Sequence, residues 1–175
     1  MALLPIRLFP DPILRKPAEK VARFDKKLAD LVSSMKETME SQRAGIGIAA
    51  PQVGVGIRLA LVDVSARVKG AKRLVLVNPR ILDLKQEKIS REGCMSLPEY
   101  TGNLKRYDWV RLMWQDVAGK ILEGDFIGIE AVCIQHEVDH LDGKLFLDHI
   151  SFLNRDLIPR HFASQKQPDR PRPSR

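Results

Sequence analysis

The chain has 175 residues, 44% of them hydrophobic and 29% charged, which describes one globular domain with enough length to bury its own core. A formal charge of +7 invites a nucleic-acid reading, but Lys166, Arg170, Arg172 and Arg175 against the single Asp169 place a net +3 of it in the last eleven residues. Two cysteines make no secreted disulfide framework, and no apolar run is long enough for a signal peptide or a membrane span, so a cytoplasmic protein is the expectation.

From Met1 to Pro17 the prolines at 5, 10, 12 and 17 exclude a helix, and this stretch is expected to lie extended over a surface. Asp25 is a plausible N-cap. After it Leu28, Leu31, Val32, Met35 and Met39 form one apolar helical face that ends near Arg43, before Gly45. The following GIGIAAPQVGVG carries four glycines and a proline, so it is irregular chain. Arg58 to Val64 and Arg73 to Val77 read as strands, Pro79 to Arg91 as a further strand pair, and Trp109 to Gln115 as another. A helical pattern is expected from about Asp125 to Leu141, with Gly143 just past its C-terminus, and Phe152 to Phe162 is weakly helical. With no repeat and no alternating βαβ order, the expected class is α+β: short antiparallel sheets around a central helix, with an N-terminal helix. Residues 1–163 form the expected domain, and 164–175, which contain three prolines, a disordered basic tail.

The central helix contains Gln135-His136-Glu137-Val138-Asp139-His140, a His-Glu-x-x-His pattern. Residues four apart stand one turn above each other, so both imidazoles can reach one ion, and Glu137 can sit beside a bound water without being a ligand. Two surface histidines on a charged face are the bland alternative. The apolar run Ile127, Ile129, Ala131, Val132, Cys133 and Ile134 argues against it, because a buried helix does not place His, Glu and His together idly.

Such a site needs a third ligand and an open position for water. Downstream, Phe146 stands where a metzincin has its third histidine, and no glutamate follows His140. His149, in a polar junction with Asp148, reads as a surface or cap residue. Upstream, Arg91-Glu92-Gly93-Cys94-Met95-Ser96-Leu97-Pro98 offers Cys94, whose thiolate is a strong soft ligand, although a lone cysteine is also a common small core residue. Cys133, on the face of His136, is expected in a pocket wall.

Three segments now coincide: Gly45-Ile46-Gly47-Ile48-Ala49-Ala50-Pro51-Gln52, Glu92-Gly93-Cys94-Met95-Ser96 and Gln135-His136-Glu137-Val138-Asp139-His140. In order and separation they resemble the three motifs of peptide deformylases, and the likeness runs from Ile6 to about Phe146. The resemblance implies a hydrolase that removes formyl from the N-terminal methionine of new polypeptides. It implies that Cys94, His136 and His140 hold one divalent ion, Fe2+ natively, with Zn2+, Ni2+ or Co2+ able to substitute. It assigns Glu137 as the proton shuttle, and Gln52 through its amide and Met95 through its backbone N–H as oxyanion donors. Gly45, Ile46 and Gly47 would receive the peptide as an added strand, and Ile46, Ile129, Val132 and Cys133 would wall the methionine pocket. Arg106 keeps a family-like position. Met95 stands where leucine is commoner, and Thr101 where arginine is frequent. The implied partners are N-formylmethionyl nascent peptides and, through the tail, the ribosome; no membrane is implied, and the chain is expected to be a monomer. The rivals are a zincin protease, which lacks its third ligand here, and a ribosome- or RNA-binding protein without catalysis.

Overall fold

The computed structural model describes residues 3–42 and 45–150. The reading of Phe152 to Phe162, the boundary at residue 163 and the tail lie outside the described residues.

Helix α1 spans Lys26–Ser41 and starts as expected: the Asp25 carboxylate accepts the amides of Lys27 and Leu28, a cap worth about 1 kcal/mol. Strand β1 is Gly47–Ala49, followed by a 3-10 turn over Ala50–Val53. Strands β2 (Leu59–Val62), β3 (Leu74–Cys94), β4 (Leu97–Gln115) and β5 (Ile121–Ile127) then complete one five-stranded antiparallel sheet in chain order. Helix α2, Gly128–Leu141, follows β5 directly.

Strand β2 explains how the layers assemble. All four of its residues are buried, because each face of the strand is covered by a different helix. Ala60 and Val62 pack in the cluster of Ala131, Ile134, Val138 and Leu141 from α2. Leu59 and Leu61 alternate to the other face and join Met35 and Met39 of α1. A third cluster gathers Leu14, Leu97, Leu104, Leu145 and Phe146, so the N-terminal segment is more than a surface strap. Leu14 sits in a 3-10 turn, Pro12–Arg15, and is fully buried.

Two details of the sheet differ from the sequence reading. The expected short strands are continuous: Leu74–Cys94 is one strand, and it forms a long hairpin with Leu97–Gln115 that absorbs irregularities between Val77/Arg80, Ile81/Asp83 and Gly93/Cys94 as register shifts. The pattern therefore looked broken while the pairing is not. At the other end, α2 starts at Gly128 instead of near Asp125. Asp125, Phe126 and Ile127 pair with Arg111, Val110 and Trp109, and Phe126 lies 5.7 Å from the Trp114 ring, so pairing in the sheet decides these residues. Gly143 follows α2 at φ +71, the left-handed conformation that ends a helix most readily at glycine.

Candidate metal centre and peptide cleft

Helix α2 is docked by its own glutamine. Gln135 Oε1 accepts the Tyr107 N–H at 3.0 Å, and its Nε2 donates to the Tyr107 carbonyl at 2.7 Å. Strand β5 pairs with β4 only as far as Trp109, so Gln135 satisfies backbone groups of β4 beyond that point. The next residue, His136, is thereby turned toward the end of the β3–β4 hairpin. Cys94 is the last residue of β3, before the Met95-Ser96 turn.

Cys94, His136 and His140 come together with ligand atoms all within 4.8 Å of one another. Cys94 Sγ lies 3.2 Å from His140 Nε2. Burial disfavours the Cys94 thiolate, yet the charge of His140 and the hydrogen bond of His136 outweigh it and hold the thiol well below its usual range. Burial likewise opposes the His136 cation, while Cys94 and Glu92 raise its pKa well above the ordinary histidine value. A soft thiolate beside two imidazoles is a donor set that fits a divalent cation. Both cysteines are free, so the residues needed are available.

His136 presents its other nitrogen to a carboxylate: Nδ1 is 2.8 Å from Glu92 Oε2. Glu92 in turn accepts from Arg106 Nε at 2.7 Å and Nη2 at 3.1 Å. Arg106 Nη1 donates to Asp139 at 2.6 Å, and Asp139 meets His149 Nε2 at 2.8 Å. The network is almost entirely buried at Arg106 and Glu92, with side-chain exposures of 4% and 7%. It fixes the His136 ring through the nitrogen that does not face the cluster. His149 belongs to this outer chain, not to the metal set, and Phe146 stacks at 6.3 Å on the His136 ring.

Glu137 is buried beside the cluster, and its Oε2 makes no hydrogen bond. Burial pushes its carboxyl up to about 7, against the opposing pull of His136 and His140. Gln52, within the turn after β1, is oriented by the Ala49 amide, whose N–H its Oε1 accepts at 2.8 Å. Its amide nitrogen therefore faces Ser96 Oγ at 3.2 Å and Cys94 Sγ at 3.5 Å, on the metal side.

These groups open on a cleft of about 580 Å³ lined by Gly45, Ile46, Gly47, Met95, Ile129 and Val132, with Cys133 and Glu137 at its wall. Every residue expected to bind substrate lies on it. Gly47 is required there by space. A Cβ at this position would stand 2.3 Å from Glu137 Oε1 and 2.6 Å from Cys133 Sγ.

The family model for polypeptide deformylase matches residues 3–156. The chain belongs to the peptide deformylase family. It is 45% identical over 166 residues to a peptide deformylase of Thermodesulfovibrio yellowstonii, covering 95% of this chain and 100% of that one. Among solved structures it resembles a peptide deformylase from Legionella pneumophila, with a TM-score of 0.85 at 38% identity and coverages of 95% and 100%. It also resembles the peptide deformylase from Ehrlichia chaffeensis in complex with actinonin, with a TM-score of 0.88 at 32% identity and coverages of 96% and 100%.

For this deformylase-family chain the residues singled out from the sequence lie together at one cleft, while the groups that support them were not singled out. Glu92 was quoted inside a motif without a role, although an acid two residues before a ligand on a strand is a usable signal. Ser96, Gln135 and Asp139 carried no signal, since only the tertiary arrangement shows what their polar atoms reach.

Proposed function

We propose that the chain hydrolyses the formamide of N-formylmethionyl nascent peptides, releasing formate and a free amino terminus. The observation that carries this reading is the buried Glu137 beside the Cys94–His136–His140 cluster, at the wall of an apolar cleft edged by Gly45 and Gly47. Cys94, His136 and His140 would hold a divalent cation, which would supply Lewis acidity and bring the pKa of a water molecule down toward neutral. The Glu137 carboxylate accepts a proton from the attacking water and returns it to the departing amine as the C–N bond breaks. As the formyl carbon becomes tetrahedral, the Gln52 amide, held in orientation by Ala49, and the Met95 N–H donate to its oxygen. Ile46, Ile129, Val132 and Cys133 receive the methionine side chain, and Gly45 to Gly47 offer an edge along which the peptide backbone pairs.

We take Fe2+, the ion the resemblance implies, as the native one, with Zn2+, Ni2+ or Co2+ able to replace it because a thiolate–imidazole set suits all four. Metal analysis after anaerobic purification reads the choice directly. The substrate places the chain in the cytoplasm, near ribosomes, where the basic residues after 163 favour electrostatic docking to RNA. No helix of the described residues is long and apolar enough to cross a membrane. The test of the reaction is formate release from formyl-Met-Ala-Ser by the metal-loaded protein. Stoichiometric metal without formate release would refute it.

A further inference from the structure

The rim of the cleft is electrically one-sided. Its lining includes five residues whose side chains are formally charged carboxylates, guanidinium or ammonium groups: Arg67, Lys88, Arg91, Glu92 and Glu137. Both acids are buried, and Glu92 is already paired with Arg106 and His136. The solvent-facing charges are the three cations. Lys88 is shared with Asp108. Arg91 donates to a neutral partner, Thr101 Oγ1, at 3.1 Å, and neither Arg91 nor Arg67 has a carboxylate partner among the described residues. Arg67 comes from the loop after β2 and Arg91 from β3, so two arginines without a carboxylate partner among the described residues line the same cleft from two separate elements. Arg67 also lies close enough to Cys133, in the wall, for its charge to oppose the rise that burial imposes on that thiol.

We propose that Arg67 and Arg91 select peptides carrying Asp or Glu in the residues after the methionine, and disfavour those carrying Lys or Arg. The inference rests on the deformylase reading for the direction of the peptide: the methionine occupies the apolar wall, and the following residues leave past the rim. Guanidinium groups offer planar paired donors that match a carboxylate, and their field acts on an approaching peptide before contact. Each exposed arginine–carboxylate contact corresponds to about a 2- to 5-fold preference, reduced by salt.

The test uses formyl-Met-Ala-X-X peptides, with X as Asp, Ser or Lys, amidated and carrying a C-terminal fluorophore. Dissociation constants come from fluorescence anisotropy, and formate release is measured on the same peptides. Binding in the order Asp, Ser, Lys is expected, with roughly a 10-fold span at low ionic strength that collapses in 0.5 M salt. The Arg67→Glu/Arg91→Glu double variant is expected to invert the order. Equal affinity for the Asp and Lys peptides at low salt, or an order unchanged in the double variant, would overturn the selection while formate release still supported the hydrolase. Acid-selective binding without formate release would keep the rim and remove the hydrolase.

Discussion

Replacing Gly47 by alanine tests the geometry of the centre more directly than removing any functional group. The added methyl would sit 2.3 Å from Glu137 Oε1, 2.9 Å from Glu137 Cδ and 2.6 Å from Cys133 Sγ. Ordinary contact begins at ~3.5 Å, so the methyl intrudes by about 1 Å on two buried side chains of one helix. A swing of the carboxylate alone does not relieve it, because the sulfur lies as close as the acid's own carbon. Over-packing of this kind costs about 1–3 kcal/mol, and each kcal/mol lowers Tm by roughly 2–4 °C in a domain of this size. Displacing a proton-transferring group by about 1 Å costs on the order of 10²-fold in turnover. The expected result is thus a modest fall in Tm, retained metal, and formate release reduced about 100-fold. Gly56→Ala serves as the control, since nothing lies within 4 Å of a Cβ there. A Gly47→Ala protein with turnover within about 3-fold of the parent would show that Glu137 does not act from its place against Gly47.

Other substitutions separate the roles within the site. Glu137→Gln keeps size but cannot accept the proton; kcat is expected to drop by about 10²–10⁴ with metal retained, and near-normal kcat in the metal-loaded variant would eliminate the shuttle. Cys94→Ser replaces a soft thiolate with a poorly ionised hydroxyl and is expected to lose most metal affinity, read by competition with a chelator; unchanged metal content would remove Cys94 from the ligand set. Arg106→Gln strands the Glu92 and Asp139 carboxylates in the interior and is expected to destabilise the fold by about 3–5 kcal/mol in denaturant titrations, against less than 1 kcal/mol if the network were dispensable. Asp63 is held below the ordinary carboxylate range by the Ser65 hydroxyl and amide and by Arg73. Its folded pKa being the lower, it stabilises the protein above the unfolded value and loses that contribution as pH falls through the folded one. Asp63→Asn is therefore expected to flatten the acid limb of the stability profile, and superimposable limbs would contradict this.

The candidate ligands on α2 were legible because their chemistry has a fixed spacing. His136 and His140, one turn apart, can reach one ion, and Glu137 beside them can face a water there, so the pattern stands out on a largely apolar helix. Asp25 and Gly143 were legible for a related reason: helix ends leave unpaired backbone groups that particular side chains and backbone conformations satisfy locally. The continuous β3–β4 hairpin was not legible, because its register shifts break the two-residue alternation that a strand reading relies on. Nor was the start of α2, where Phe126 obeys its partner Val110 across the sheet rather than its neighbours in sequence.

The supports of the centre follow the same logic one step further out. A metal-binding histidine needs its second nitrogen held, but the holder can come from any element that the fold brings within 3 Å. Here it is Glu92 from β3, itself fixed by Arg106 from β4, which is tied back to Asp139 on the histidines' own helix. The loop of interactions closes across three elements, so the helix that carries His136 and His140 and the hairpin that carries Cys94 cannot shift independently without breaking a buried charge pair. That coupling gives the site its rigidity, and it explains why Arg106→Gln should impair metal retention as well as stability. If Arg106→Gln lost stability yet bound its ion as tightly as the parent at a temperature where it remains folded, the network would be a structural brace only, and the placement of His136 would have to rest on Gln135 and Phe146 instead.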